Sequence, residues 1–181
     1  MIITIGGAPG AGKTCVSKLL CEKLGYKHYY MGQIMRDLAK ERGMSLNKFY
    51  SLIKKEPEVD REVDEYQRKL GETEDKLVVE GRTSFHFVPN SYKIFLDVDE
   101  DVGAQRIFED LKKNSDRNED IYRSVSEVKQ SIQERVNNEI ERYQNLYGIN
   151  HLDKKNFDLV IDTSYITVEQ VVNQILTYVQ K

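Results

Sequence analysis

Short apolar runs alternate with amphipathic segments along almost the whole chain. Four of the runs are rich in Ile, Val, Leu and Phe and too short for helices, which predicts buried parallel strands over 1–5, 76–80, 92–98 and 157–162. The tyrosine-rich run 26–31 predicts a further short strand. Elsewhere apolar residues recur every three or four positions, which predicts helices over 12–24, 32–42, 46–53, 57–70, 100–113, 126–147 and 167–179. This alternation predicts one α/β domain, in which a five-stranded parallel sheet carries helices on both faces.

Two stretches depart from the simple alternation of strand and helix. Three predicted helices follow one another between the second and third strands, so the segment from about 32 to 70 is expected to form a helical insertion. The segment 114–120 is polar and charged without an apolar face, which predicts a loop. The long helix after it has one sparse apolar stripe, so we expect only one of its sides to be buried.

A glycine-rich segment connects the first predicted strand to the first predicted helix. Residues 7–14 read Gly-Ala-Pro-Gly-Ala-Gly-Lys-Thr, which matches the phosphate-binding P-loop pattern. The backbone N–H groups of such a loop, with those of the helix N-terminus, can surround the phosphates of a nucleoside triphosphate. Because the pattern stands between a strand and an amphipathic helix, a triphosphate site is a better explanation than an ordinary surface turn.

The P-loop predicts roles for particular side chains. Lys13 can reach the outer phosphates as a compact cation, and the Thr14 hydroxyl is the expected protein ligand of a bridging magnesium ion. Glu80 ends the third strand, where P-loop proteins usually place a carboxylate that directs magnesium, and we expect it to act through water. The triphosphate contacts are expected from Gly7, Ala8, Pro9, Gly10, Ala11, Gly12, Lys13, Thr14 and Cys15.

Four arginines are candidates for neutralising charge during phosphoryl transfer. Arg82 directly follows the third strand, so its guanidinium is expected at the ligand-binding edge of the sheet. Arg36 lies on the helix after the second strand, whereas Arg135 and Arg142 lie two turns apart on one face of the long helix. The alternative for any one of these arginines is an ion pair on a solvated surface, and Arg142 could in this way pair with Glu139 or Asn138 on a solvated helix.

The composition of the chain indicates its cellular compartment and excludes some classes of binding partner. The chain has 181 residues, a net charge of -3 and no long basic stripe, which argues against a nucleic-acid scaffold. Cys15 and Cys21 lie on different faces of one predicted helix, so no disulfide is expected, and His28, His86 and His151 lack metal-ligand spacing. No run reaches the roughly 18 apolar residues of a membrane span. We therefore expect a cytoplasmic protein that binds neither nucleic acid nor membranes.

Several further segments carry a family resemblance when they are read together with the P-loop. They are Gly32-Gln33-Ile34-Met35-Arg36, Glu-Arg-Gly-Met-Ser-Leu at 41–46, Val59-Asp60-Arg61-Glu62, Glu80-Gly81-Arg82, Arg142-Tyr143, Tyr147-Gly148-Ile149 and the run 158–164. In this combination the chain resembles the cytidylate kinases of the short archaeal and bacterial type, over nearly its whole length. The resemblance implies a nucleoside monophosphate kinase fold with a core of 1–31, 71–111 and 136–181, an acceptor-binding insertion at about 32–70 and a lid at about 112–135.

The resemblance also implies a reaction and a set of residues. The substrates would be ATP and CMP or dCMP, with Mg²⁺ as cofactor, and the protein is expected to be a monomer. Lys13, Arg82, Arg135 and Arg142 would be catalytic, since the matching lid-side arginines of related kinases stabilise the moving phosphoryl group. The acceptor would be bound by Gly32, Arg36, Asp60, Arg61 and Arg82, and Arg106 would contact ATP.

Two departures from the related kinases bear on nucleotide recognition. Arg106 is followed one turn later by Asp110, where relatives often carry a second arginine, and the stretch 83–87 also differs. The latter is a place where base selectivity can be set. Two alternatives remain open at this stage, a kinase of another small-molecule acceptor and a nucleotide-dependent switch. The switch is the weaker one, because the chain has no Asn-Lys-x-Asp segment and places arginines at both the insertion and the lid.

Overall fold

A parallel β-sheet forms the centre of the computed structural model, which describes residues 1–53, 57–113 and 122–180. Within these ranges five strands lie in the order β2-β3-β1-β4-β5. Their bounds are β1 Ile2–Gly7, β2 Lys27–Tyr30, β3 Leu77–Glu80, β4 Tyr92–Asp97 and β5 Leu159–Asp162. All four strand pairs are parallel, which confirms the predicted five-stranded parallel sheet.

The helices follow the predicted periodicity closely. Their bounds are α1 Lys13–Leu24, α2 Met31–Glu41, α3 Leu46–Ile53, α4 Pro57–Thr73, α5 Ser84–Phe87, α6 Glu100–Lys113, α7 Val125–Tyr147 and α8 Val168–Val179. Helix α5 is absent from the sequence prediction, because a segment this short cannot show helical periodicity. The loop predicted at 114–120 lies outside the described residues.

Strand β1 is the central strand of the sheet. It pairs with β3 on one side and β4 on the other, so that Ile5 lies opposite both Glu80 and Ile94. The chain therefore changes direction across the sheet at β1, and in such sheets the ligand crevice lies beyond the carboxyl ends of the strands at this point. The P-loop is the continuation of β1 into that crevice.

Each face of the sheet is covered by its own apolar cluster. Successive side chains of a strand point to opposite faces, so Ile3 and Ile5 pack with α1 and α8, whereas Ile2 packs with the insertion helices. The second cluster includes Met35 of α2 and Phe49 of α3. Helices α2, α3 and α4 therefore lie together on one face, beside the carboxyl end of β3.

Candidate functional site

The P-loop is closely packed against the core of the sheet. Gly7 has a φ of 136°, and Gly10 has a φ of 78°. A Cβ at Gly7 would overlap the backbone of Leu96, and one at Gly10 would overlap the backbone of Gly103. Glycine is therefore required at both positions. Helix α1 begins directly after Gly12, so unpaired N–H groups of its first turn adjoin the loop.

Lys13 lies within the curve of the loop. Its Nζ donates hydrogen bonds to the carbonyl oxygens of Gly7 at 3.0 Å and Ala8 at 2.6 Å. Burial, reinforced by the nearby Arg82 guanidinium, lowers the pKa of Lys13 to about 7. A bound phosphate group would favour the charged form of this amine.

Two oxygen-bearing side chains meet beside Lys13. The Thr14 hydroxyl donates to Oε1 of Glu80 at 2.7 Å, and the Glu80 side chain is 2% exposed. The second oxygen of Glu80 lies 3.1 Å from Nε2 of His28, a residue to which the sequence assigned no role. Among the described residues, no group of three or more His, Cys, Asp or Glu could hold a metal. These donors fit Mg²⁺, which usually takes one or two protein oxygens and completes its shell with phosphate and water.

One cavity collects most of the predicted site residues. Its volume is about 500 Å³. It is lined by residues 9–15, which include most of the P-loop, and by Gly32, Arg36, Glu80, Arg82, Arg106 and Arg135. Arg142 lines a neighbouring cavity of about 410 Å³, which also includes Arg135. The structure thus brings five cations, Lys13 among them, around a single space.

The arginines are not solvated surface groups. Arg36 donates from Nη1 to the Tyr30 hydroxyl at 2.6 Å. Arg142 is 6% exposed, donates to the Tyr143 hydroxyl at 3.0 Å, and lies over the ring of Tyr50. The alternative of a solvated ion pair on α7 is therefore wrong for Arg142. Arg135 has a buried Nε without a hydrogen-bond partner in the described part of the chain, as expected of a cation facing a ligand site.

Arg82 forms a buried ion pair that the sequence did not reveal. Its Nε donates to Oε2 of Glu139 at 2.5 Å, and the Glu139 side chain is 2% exposed. The same oxygen lies 3.5 Å from Nε2 of the buried His151. Burial acts to raise the pKa of Glu139, but the charge of Arg82, the hydrogen bond from His151 and the charge of Arg135 outweigh it and hold the pKa well below its usual range. Glu139 thereby fixes the direction of the Arg82 guanidinium.

Helix α4 places one of its two predicted acceptor-binding residues away from the cavity. Arg61 is exposed and is not among the cavity-lining residues, whereas Asp64 and Gln67 line the cavity. Arg61 lies four positions before Glu65 and seven before Arg68, and these exposed residues share its side of the helix. Asp60 belongs to α4, but its side chain lies outside the described part of the structure. Val63 lies four positions before Gln67 and Leu70 three positions after it, and both are buried. Their apolar spacing in the sequence could have indicated that Gln67 faces inward.

Arg106 connects α6 to the turn after β5. Its Nη2 donates to the carbonyl oxygens of Thr163 at 2.9 Å and Ser164 at 3.1 Å, and its Nη1 lies 3.5 Å from the carbonyl oxygen of Gly10. Asp110 lines the cavity next to it, and Cys15 is exposed there. The guanidinium plane therefore lies beside the P-loop, on the side of the cavity away from the insertion helices.

We expect Arg106→Ala to raise the KM for ATP by about tenfold and to change kcat much less, since the lost hydrogen bonds hold Arg106 beside the P-loop, where the resemblance implies a contact with ATP. Steady-state kinetics with varied ATP measures this. Lys113→Ala removes an exposed cation from the same helix and serves as the control. An unchanged KM in the Arg106 variant would contradict the assignment of this residue to the ATP side.

The fold and the cavity define the class of P-loop α/β kinases. A family model described as the cytidylate kinase-like family matches residues 2–165, and the chain belongs to this family. A cytidylate kinase of Pyrococcus furiosus is 41% identical over 165 residues, covering 91% of this chain and 80% of that protein. An S-adenosylmethionine-dependent nucleotide dehydratase of Lacinutrix mariniflava is 34% identical over 180 residues, which cover 99% of this chain and 36% of that protein.

Solved structures confirm the fold. A shikimate kinase from Acinetobacter baumannii aligns with a TM-score of 0.63 at 17% identity, covering 99% of this chain and 92% of that one. Identity this low supports the architecture and no more. None of the described helices combines the length and the apolar character that a membrane span requires.

Proposed function

We propose that this protein transfers the γ-phosphoryl group of ATP to CMP or dCMP, producing ADP and CDP or dCDP. The observation that carries the proposal is the convergence of the P-loop lysine with Arg36, Arg82 and Arg135 around one cavity. A transfer between two phosphate-bearing substrates needs cations on both sides of the moving group. Membership of the cytidylate kinase-like family supports the choice of acceptor.

The triphosphate would be bound by the P-loop backbone, the first turn of α1 and Lys13. Thr14 and, through water, Glu80 would hold Mg²⁺, which would neutralise charge on the phosphates. The hydrogen bond between Thr14 and Glu80 supports this arrangement, because it keeps both oxygens at the mouth of the loop. His28 would orient Glu80 from the other side.

The acceptor phosphate would be bound by Arg36 and Arg82. In the described part of the chain only Nε of Arg82 donates a hydrogen bond, which leaves the two Nη groups for a bidentate contact with phosphate. Arg135 and Arg142 would stabilise charge on the moving phosphoryl group. In-line transfer between held substrates requires neither a covalent intermediate nor a dedicated strong base.

In this proposal α2, α3 and α4, within the segment from about 32 to 70, form the acceptor-binding insertion. The segment from about 112 to 135 forms a lid that excludes water when both substrates are bound; residues 114–121 of it lie outside the described residues. The protein would act in the cytoplasm as a monomer on free nucleotides, and its net charge of -3 supports the exclusion of nucleic acid.

An assay of ADP release with ATP, magnesium and a panel of CMP, dCMP, UMP, AMP, GMP and TMP tests the proposal. We expect selective turnover with CMP or dCMP and little ADP in a control without acceptor. Turnover confined to another monophosphate would keep the reaction type and reject the acceptor. ADP release that needs no acceptor would favour a nucleotide-dependent switch, and activity with none of the panel would contradict a nucleoside monophosphate kinase.

A further inference from the structure

A group of buried polar side chains lines the cavity beside the arginines. Asp64 is 6% exposed, Gln67 is 1% exposed and Thr83 is 5% exposed. All three belong to the cavity wall, where apolar side chains such as Met35 and Val63 surround them. A buried carboxylate among apolar groups is costly unless hydrogen bonds compensate it, so the position of Asp64 at the edge of the cavity depends on the polar side chains around it.

Hydrogen bonds hold these side chains in one orientation. Oδ1 of Asp64 accepts from Nε2 of Gln67 at 3.0 Å and from the Thr83 hydroxyl at 3.1 Å. The Tyr147 hydroxyl donates to its other oxygen. The Ser84 hydroxyl donates to Oε1 of Gln67 at 2.6 Å, which fixes the amide so that its NH₂ group points to Asp64. The carboxylate is therefore a preorganised hydrogen-bond acceptor at the cavity wall.

The network joins α4 to the segment after Arg82. Thr83 and Ser84 belong to the stretch 83–87 that departs from the related kinases, and Tyr147 is the last residue of α7. Arg82, Thr83 and Asp64 line the same cavity, so a nucleotide whose phosphate contacts Arg82 can place its base against Asp64. The polar group thus lies where the base of the acceptor has to be recognised.

We infer that Asp64 determines the base specificity of the acceptor site by accepting a hydrogen bond from the exocyclic amino group of cytosine. This inference rests on the proposed function. Uracil carries a carbonyl oxygen in place of that amino group, and a carboxylate repels it because both are acceptors. Gln67, Thr83 and Tyr147 act as positioning residues that keep the carboxylate directed at the base. Discrimination then comes from attraction to one base and repulsion of the other.

The test is the ratio of kcat/KM for CMP to kcat/KM for UMP, measured by ADP release. Asp64→Asn keeps the size of the side chain and can donate to the uracil oxygen, so we expect the ratio to fall by about tenfold to a hundredfold. Glu62→Gln removes a negative charge from an exposed position of the same helix and is expected to leave the ratio unchanged. Equal losses for both nucleotides would overturn the inference, since they indicate a structural role alone.

A second measurement on the unaltered protein covers the case in which the Asp64 variant does not fold. The 5′-monophosphate of the 2-pyrimidinone riboside has hydrogen in place of the amino group and adds no bulk. Its kcat/KM is expected to be at least about tenfold lower than that of CMP, and equal values would overturn the inference. CMP turnover that is independent of Asp64 counts against this inference alone, whereas the absence of turnover with any cytosine nucleotide overturns the proposed function as well.

Discussion

Arg82→Ala is expected to lower kcat with CMP by about a thousandfold, the scale at which cations act on a transferring phosphoryl group. ATP affinity is expected to change by less than about threefold. Arg82 follows β3, whereas the proposed function assigns the triphosphate to Lys13 and the P-loop backbone. Steady-state kinetics with varied CMP and a separate ATP-binding titration measure the two effects. Equal losses in activity and in ATP affinity would contradict an acceptor-side role.

Two further variants separate chemistry from folding. Arg82→Lys keeps the positive charge next to Glu139 but lacks the guanidinium fork, so it should recover stability while activity stays low. Arg61→Ala removes an exposed arginine of α4 that is not part of the cavity wall, and we expect nearly unchanged kinetics. Full activity in Arg82→Lys would show that charge alone suffices at this position.

Glu139→Gln is expected to lower the free energy of unfolding by about 3 kcal/mol at pH 7, as is typical when one partner of a buried ion pair is removed. The variant leaves the Arg82 guanidinium without its counterion and removes the negative charge next to His151. Urea unfolding of both proteins measures the difference. Glu134→Gln, at an exposed position of the same helix, serves as the control and should stay within about 0.5 kcal/mol of the unaltered protein.

The pH dependence of this difference has a definite sign. The folded protein holds the pKa of Glu139 well below its usual value, because Arg82 and His151 outweigh the effect of burial. A carboxyl with a depressed pKa in the folded state contributes stability above its unfolded pKa of about 4.3, and that contribution is lost as the pH falls further. The stability difference should therefore be complete between pH 6 and 7 and shrink below about pH 4.5. A difference that stays constant down to pH 3 would exclude this ion pair as its source.

Much of the fold could be predicted because its signals are local. Helix α6 has the predicted bounds 100–113, and α7 begins within one residue of the prediction. Each long element repeats its apolar positions often enough to show a period. Helix α5 has four residues, too few to repeat an apolar position, so the sequence did not predict it. The predicted strands 26–31 and 157–162 were longer than the observed β2 and β5. Tyr26, Met31 and Phe157 pack in the apolar clusters but do not belong to the strands.

The candidate site also has a part that the sequence predicts and a part that it does not. The P-loop could be assigned from the sequence, because residues 7–14 are contiguous and their function depends on local backbone shape. The partners of Arg82 and Asp64 could not be assigned in this way. Glu139 lies 57 residues from Arg82 along the chain, and Thr83 lies 19 residues from Asp64. The apolar neighbours Val136 and Tyr143 indicate that Glu139 faces inward, but they do not show which distant side chain it contacts.

The sequence alone specifies a triphosphate-binding P-loop on a parallel α/β sheet, because apolar periodicity and glycine-dependent turns are properties of neighbouring residues. Only the tertiary structure decides which polar side chains leave water. It buries Glu139 against Arg82 and Asp64 against Gln67, and it leaves Arg61 in solvent. The physical reason is that the burial of a charge depends on the packing of whole helices against the sheet, which brings together groups far apart in the chain.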